Sequence, residues 1–211
     1  MDQIERVEQA GIMPVVRLEN ADDAVPMAKA LRRGGLPFAE ITFRTAAAAE
    51  ALRRIRTADP TFFLAAGTVL DTEQADEAMA AGADLLVSPG YDPAMAEHCL
   101  AHGYPLVPGV CTPSEIQAAM TAGLMWLKFF PAKASGGCAM LRALHGPYGN
   151  VHFMPTGGIT AQDMEEYLHC PGVFACGGSW IVSDKALREK DFARIEAAAR
   201  DAVQIVKGAR R

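Results

Sequence analysis

The stretch FFLAAGTVLDTEQADEAMAAGADLLVSPG (residues 62–90) joins two short apolar runs through an alanine-rich segment that closes on Gly82. The runs have the length and composition of buried strands, and the segment between them, residues 71–83, resembles a helix that ends at a glycine. A helix between two buried strands is typical of a parallel strand pair with the helix packed outside. A repeat of this unit along the chain would indicate an α/β fold with a parallel sheet.

The unit does repeat along the chain. Eight β-rich apolar runs recur, and helical patterns such as residues 22–35, 113–123 and 161–170 lie between them. The sequence therefore predicts an α/β protein that forms a single (β/α)8 TIM barrel with eight parallel strands. The eight runs are residues 13–18, 38–43, 62–69, 84–90, 104–110, 125–132, 151–159 and 173–182.

We expect this barrel to occupy residues 1–211 as one domain, because no linker, low-complexity run or charge block suggests a boundary. Residues 1–12 and 191–207 are predicted to form an N-terminal and a C-terminal helix. The alternative is a doubly wound sheet, which typically carries a glycine-rich phosphate fingerprint after its first strand. Residues 18–23, LENADD, lack this fingerprint, so the barrel is favoured.

The composition is that of an ordinary soluble globular protein, with 50% hydrophobic residues, 21% charged residues and a net charge of −5. A mildly acidic balance argues against a nucleic-acid partner. No apolar run approaches the ~18 residues of a membrane span, and residues 1–12 lack the apolar core of a signal peptide. We therefore expect a cytoplasmic protein without a membrane partner.

The sequence does not predict a metal site. His98 and His102 are four residues apart on a predicted outer helix, but they lack the carboxylate of an H-E-x-x-H motif. The five cysteines form no C-x-x-C pair and have no zinc-like spacing. They are interpreted as reduced, mostly buried thiols: Cys99, Cys111, Cys138, Cys170 and Cys176.

Polar residues recur on the strand faces expected to line the barrel. Strand side chains alternate, so FAEITFR (38–44) places Glu40, Thr42 and Arg44 on one face, opposite an apolar face that suits the helices. Glu40 should then lie inside the barrel and Arg44 at its mouth, where barrel enzymes carry their active sites. The same count groups Val15 with Arg17, Leu64 with Ala66 and Thr68, and Trp126 with Lys128 and Phe130.

Lys128 in WLKFFPAK (126–133) is the candidate nucleophile. A lysine is almost never fully buried unless it is paired, and only a neutral amine attacks a ketone. Burial among aromatic side chains and nearby cations both disfavour the ammonium form, whereas Lys133 falls in an open loop. A Schiff base would also need a proton shuttle, and Glu40 is the acid placed on an inner strand face near the mouth. The alternative is a buried Glu40–Lys128 salt bridge without chemistry.

Two glycine pairs predict a phosphate site. They lie in PTGGI (155–159) and CGGSWIV (176–182), at the ends of the last two predicted strands. Barrels frequently bind phosphate in the loops after strands 7 and 8, and paired glycines let backbone N–H groups approach an anion. Arginines at the mouth suit a substrate carboxylate, because the guanidinium fork binds it bidentately.

Taken together, these segments resemble the pyruvate-dependent class I aldolases that cleave 2-keto-3-deoxy-6-phosphogluconate (KDPG) to pyruvate and glyceraldehyde 3-phosphate, often with activity on 4-hydroxy-2-oxoglutarate. The resemblance covers nearly the whole chain. It rests on PVVRLENADDAVPMAKAL, GGLPFAEITFRT, AAGTVL, VSPG, VPGVCTPSE, LKFFPA, FMPTGGI and GGSW.

This resemblance implies that Lys128 forms the Schiff base with pyruvate and that Glu40 is the general acid and base. It further implies that Arg17, Arg44 and Thr68 hold the pyruvate carboxylate or its surroundings, and that Pro89 shapes the wall. Phosphate would be bound by Gly157, Gly158, Gly177, Gly178 and Ser179. A homotrimer without metal or cofactor, working in the cytoplasmic Entner–Doudoroff route, is also implied.

Substrate choice stays open at the level of sequence. Thr156 matches the gluconate-type pattern, and a hydroxyl there can distinguish epimers by hydrogen bonding. An aldolase for 2-keto-3-deoxy-6-phosphogalactonate is one alternative. A non-aldolase phosphate-binding barrel, either an epimerase or a phosphometabolite-binding protein, is another; it would keep both glycine pairs without requiring Lys128 and Glu40.

Overall fold

The computed structural model describes residues 3–210, so Met1 and Asp2 of the predicted N-terminal helix, and Arg211 at the end of the predicted domain, lie outside the described residues. Within 3–210, each predicted apolar run contains a strand. The strands are β1 (Ile12–Val16), β2 (Phe38–Thr42), β3 (Phe63–Gly67), β4 (Leu85–Val87), β5 (Leu106–Val107), β6 (Gly109–Val110), β7 (Trp126–Phe129), β8 (His152–Pro155) and β9 (Cys176–Gly178).

Helices alternate with these strands, as the repeated unit predicts. A 3-10 turn at Ala21–Asp23 precedes the second of them. None of the helices over residues 3–210 is both long enough and apolar enough to cross a membrane. The helices are α1 (Gln3–Ala10), α2 (Ala24–Arg33), α3 (Ala48–Ala58), α4 (Thr72–Ala80), α5 (Pro93–His102), α6 (Pro113–Thr121), α7 (Gly137–His145), α8 (Met164–Leu168), α9 (Asp184–Arg188) and α10 (Phe192–Ala209).

Side-chain caps explain where several helices begin and end. Asp71 accepts a hydrogen bond from the Gln74 N–H at 2.8 Å and starts α4, while Thr112 and Glu115 form a reciprocal capping box at α6. Gly82 follows α4 with φ 98°, a left-handed conformation that glycine adopts without strain. The predicted unit of residues 62–90 is therefore present.

The predicted closed eight-stranded TIM barrel is wrong. The strands of the described chain form a six-stranded parallel half-barrel in the order β5-β4-β3-β2-β1-β9 and a separate three-stranded parallel sheet in the order β6-β7-β8. The fold is thus an incomplete (β/α)8-like barrel.

The ring first breaks at Pro108, which divides the predicted strand 104–110 into β5 and β6. The Val107 carbonyl accepts from the Ser88 N–H at 3.3 Å on one side, and the Pro108 carbonyl accepts from the Lys128 N–H at 2.8 Å on the other. Because proline has no N–H, Pro108 accepts a hydrogen bond from β7 but donates none to it. β5 therefore stays with the larger sheet and β6 with the smaller one.

A second proline interrupts pairing between β8 and β9. The Phe153 carbonyl accepts from the Phe174 N–H at 3.1 Å. The next residue that faces this side is Pro155, which has no N–H to donate. Continuous pairing stops there, and an isolated bridge joins Thr156 to Gly177.

Two cores lie on opposite faces of the sheets. The outer core packs the strands against the helices, and the inner core includes Met13, Phe63 and Ala65, with Val7 of α1. The prediction that Leu64 and Ala66 share an inner face of β3 with Thr68 is wrong, because Leu64 and Ala66 belong to the outer core. Ala65 pairs in register with the inward-facing Glu40, and residues paired across a sheet share a face.

Candidate active site

Lys128 and Glu40 meet inside the barrel, as the alternation of β2 and β7 predicts. The Lys128 Nζ lies 3.3 Å from the Glu40 Oε1, and the two residues are 2% and 0% exposed. β2 belongs to the larger sheet and β7 to the smaller one, so the ion pair joins the two sheets across the interior. The Nζ also lies 5.3 Å from the centroid of the Phe130 ring, within the range of a cation–π contact.

The second carboxylate oxygen of Glu40 is unused. Its Oε2 is buried and has no hydrogen-bond partner among the described residues. Buried polar atoms are nearly always hydrogen-bonded, so each exception calls for an explanation. A buried carboxylate oxygen without a partner, on a side chain that contacts an amine, is suited to accept a proton from a bound molecule.

Gly67 makes room for this carboxylate. A Cβ atom at Gly67 would lie 2.0 Å from the Glu40 Oε1, which no side chain could tolerate. Gly67 had no predicted role, although a glycine inside a strand is a known sign of close approach by another group.

Arg44 and Thr68 lie together at the mouth. The Arg44 Nε donates to the Thr68 Oγ1 at 3.1 Å. Thr68 has φ 57°, which is unusual for a β-branched residue, and this turn, not strand alternation, brings its hydroxyl to Arg44. Such strained residues cluster at ligand sites.

A cavity of about 390 Å³ opens beside these residues. Two predicted substrate ligands, Arg17 and Arg44, and the predicted phosphate ligand Ser179 line it. Arg17 is half-exposed and its Nη2 forms an ion pair with the Glu19 Oε1 at 2.5 Å. The complete lining is Val15, Arg17, Thr42, Arg44, Ser179, Val182, Ser183 and Asp184.

Pro89 is half-buried and does not line that cavity. Its carbonyl oxygen instead packs on the backbone of Gly109, where a Cβ atom would lie 2.1 Å from the Pro89 oxygen. Pro89 therefore lies against the backbone next to the break between β5 and β6.

The two predicted phosphate loops are adjacent. Gly157 and Gly158 have φ 104° and 79°, so their backbone requires glycine. The isolated bridge between Thr156 and Gly177 places the second glycine pair beside the first. Thr156 is buried there, and a Cβ atom at Gly177 would lie 2.1 Å from its Oγ1. At Gly178 a Cβ atom would meet the Trp180 ring at 2.2 Å.

Lys133 borders the first of these loops. Its ammonium donates to the Asp163 Oδ2 at 2.9 Å, and the same oxygen accepts from the Thr160 N–H at 3.2 Å and Oγ1 at 2.9 Å. The Lys133 hydrogen bond, followed by that from the Thr160 hydroxyl, lowers the pKa of Asp163 below its ordinary value. The ammonium of Lys133 is thus paired with a carboxylate.

The remaining candidate ligands do not form a metal centre in the described chain. Residues 3–210 contain no group of three or more His, Cys, Asp or Glu side chains arranged to hold a metal ion. His98 instead hydrogen-bonds through Nε2 to the Asp76 Oδ1 at 2.8 Å. The five cysteines are free thiols, and Cys111 is half-buried while the other four are buried.

Comparison with known proteins places these features in context. The family model for KDPG and KHG aldolases matches residues 3–198. The chain is 47% identical over 202 residues to a 2-dehydro-3-deoxy-phosphogluconate aldolase of Treponema pallidum, with 96% of both chains covered.

Solved structures agree with this match. A KDPG aldolase of Legionella pneumophila, with pyruvate captured as a covalent carbinolamine intermediate, has a TM-score of 0.93 and 35% identity over 96% of this chain and 98% of its own. A 2-keto-3-deoxy-6-phosphogluconate aldolase of Zymomonas mobilis, with 3-phosphoglycerate, has a TM-score of 0.89 and 38% identity over 95% and 94%.

Proposed function

Because the chain belongs to the KDPG and KHG aldolase family, we propose that it is a class I aldolase that cleaves KDPG to pyruvate and glyceraldehyde 3-phosphate. The enzyme is a carbon–carbon lyase. The observation that carries the proposal is the buried pair of Lys128 and Glu40, with 3.3 Å between Nζ and Oε1 and a partnerless Oε2.

Lys128 is the amine that forms the Schiff base. The Lys128 ammonium first passes a proton to the Glu40 carboxylate, 3.3 Å away. The neutral Nζ then adds to the C2 ketone of the substrate, and the carbinolamine loses water to give a protonated imine. The carbinolamine captured with pyruvate in the Legionella relative supports this chemistry. The neighbouring Glu40 carboxylate supplies and removes the protons that addition and dehydration require.

Cleavage then breaks the bond between C3 and C4. Glu40 removes the proton from the C4 hydroxyl, the C3–C4 electron pair moves into the imine, and an enamine forms as the C4 aldehyde leaves. Protonation of the enamine at C3 and hydrolysis of the imine release pyruvate and restore the Lys128 amine. Dehydration of the carbinolamine releases one water molecule and hydrolysis of the imine consumes one, and the proton transfers between these steps are assigned to Glu40.

Binding groups surround this reacting pair. Arg17, Arg44 and Thr68 are assigned to the pyruvate carboxylate and its surroundings, and Pro89 to the wall. The Arg44–Thr68 hydrogen bond and the shared cavity of the two arginines support the assignment. Thr156 is assigned to the substrate hydroxyls, and phosphate to the adjacent loops of Gly157, Gly158, Gly177, Gly178 and Ser179.

Borohydride reduction in the presence of pyruvate, followed by peptide mass mapping, tests the proposal. We expect reduced pyruvate on Lys128 and on no other lysine. A second assay couples KDPG cleavage to the detection of pyruvate. Absence of both the adduct and cleavage would favour the epimerase or binding-protein alternatives.

Family membership also leads us to propose a second substrate, an oligomeric state and a cellular compartment. The enzyme is proposed to accept 4-hydroxy-2-oxoglutarate, since the family model covers that activity. It is also proposed to be a cytoplasmic homotrimer. Leu70 and Leu100, which are 55% and 51% exposed, are large apolar side chains available for subunit contacts. Light scattering should give three times the mass of one chain, and cell fractionation checks the compartment.

A further inference from the structure

Lys133 lies against the glycine backbone of the proposed phosphate site. Its backbone N–H donates to the Gly157 carbonyl at 3.1 Å. A Cβ atom at Gly158 would lie 2.9 Å from the Lys133 Cβ and 3.4 Å from its Cδ, so the lysine stem runs directly over Gly158. The side chain is more than half-exposed, which leaves its ammonium free to change partners.

The present partner of the ammonium is Asp163. That carboxylate is also bound by the backbone N–H and hydroxyl of Thr160, so it stays in place without Lys133. An exposed ion pair contributes little net free energy, because the charges are screened by solvent and the lysine loses rotamer freedom. A dianionic phosphate on the neighbouring glycine loop is therefore able to compete for Lys133.

We propose that Lys133 is a specificity-determining residue that contacts the substrate phosphate, and that Asp163 opposes this contact by competing for the ammonium. The inference rests on the proposed function, because it places phosphate at the loop of Gly157 and Gly158. Lys133 affects binding of the phosphate end of the substrate, whereas the Schiff-base chemistry of Lys128 at the other end is independent of Lys133.

Kinetics of Lys133→Met test the proposal. We expect the KM for KDPG to rise about three- to tenfold with kcat nearly unchanged, and the increase to shrink at high salt. The pyruvate concentration that half-saturates borohydride inactivation should stay within about twofold, because pyruvate carries no phosphate. Lys133→Arg, which keeps the positive charge, should retain most of the wild-type affinity for KDPG. Lys207→Met, which removes an exposed lysine from α10, is the matched control.

The Asp163→Asn variant distinguishes direct contact from charge masking. It should lower the KM for KDPG, and Lys133→Met should still raise KM in the Asp163→Asn background. If the lysine substitution has no effect in that background, Lys133 only masks Asp163, and the proposal is overturned. Equal losses with KDPG and pyruvate would also overturn it.

Binding of inorganic phosphate, measured by calorimetry, keeps the inference separate from the proposed function. If the wild-type chain cleaves no KDPG, the aldolase proposal fails, but a loss of phosphate affinity in Lys133→Met would still support the phosphate contact. If wild type cleaves KDPG and Lys133→Met changes neither KM nor phosphate affinity, only the inference about Lys133 fails.

Discussion

Glu40 and Lys128 come from different sheets, and their side chains meet in the buried interior with 3.3 Å between Oε1 and Nζ. The pair therefore spans the incomplete barrel from the inside. Burying two charges is costly unless they pair, and removal of one partner leaves the other uncompensated. In the proposed mechanism stability and catalysis are coupled, because the two residues assigned to the reaction also join the two sheets.

Replacement of Lys128 by Met should abolish imine formation and KDPG cleavage. It should also lower the free energy of unfolding by about 3–5 kcal/mol, because Glu40 is left buried without its partner. Urea unfolding measures the loss, and the double variant Lys128→Met/Glu40→Gln should recover part of it. Lys207→Met is the control. A pyruvate adduct that persists in Lys128→Met would show that another amine reacts.

Replacement of Glu40 by Gln should lower kcat by roughly 10²–10⁴-fold, the usual contribution of general acid–base catalysis. The amide cannot accept the C4 hydroxyl proton, although it keeps nearly the same shape. Inorganic phosphate should bind as it does to wild type. Single-turnover kinetics with KDPG is the measurement, and a near-normal kcat would place the proton shuttle on another residue.

Replacement of Gly67 by Ala should displace the Glu40 carboxylate, since the new Cβ would lie 2.0 Å from its Oε1. We expect a loss of kcat comparable to that of Glu40→Gln, together with a lower melting temperature. Gly208→Ala is the matched control, because no atom lies within 4 Å of a Cβ at that position. Full activity in Gly67→Ala would mean that Glu40 tolerates displacement and is not positioned by β3.

Replacement of Thr156 by Val should narrow the preference for KDPG over its C4 epimer, the phosphogalactonate analogue, by about tenfold. Val keeps the branched shape that packs beside Gly177 and removes the hydroxyl, which now donates to the Met154 carbonyl at 3.3 Å. The ratio of kcat/KM for the two epimers is the measurement. An unchanged ratio would assign epimer choice to other groups.

A thiol reagent at pH 8 should modify Cys111 first among the five cysteines. Only the thiolate reacts, and burial raises the pKa of Cys99 to about 11 and those of Cys138 and Cys176 further. A raised pKa keeps these thiols protonated, whereas Cys111 is half-buried. Peptide mapping of partially labelled protein identifies the site, and equal labelling of Cys99 would contradict the expectation.

Alternation along strands predicted some side-chain directions well and others badly, for a physical reason. In β2 a carboxylate alternates with apolar residues, so the pattern itself reveals which face carries Glu40. In β3 the residues FLAAG are all apolar, and nothing in the pattern distinguishes the face of Ala65 from that of Leu64. The orientation of Thr68 escaped prediction because a left-handed φ ends the alternation.

Local periodicity and backbone freedom were enough to predict the repeated strand and helix units, the glycines that end helices, and the inward faces of Glu40 and Lys128. The remaining features depend on contacts between residues that are far apart in the chain. Pro108 and Pro155 interrupt the ring because each lacks an N–H on the side that faces a neighbouring strand. Which side faces that strand depends on how the strands pair, so the sequence does not show it. The 3.3 Å approach of Lys128 to Glu40, 88 residues apart, and the 2.9 Å hydrogen bond from Lys133 to Asp163 arise because packing brings distant side chains together.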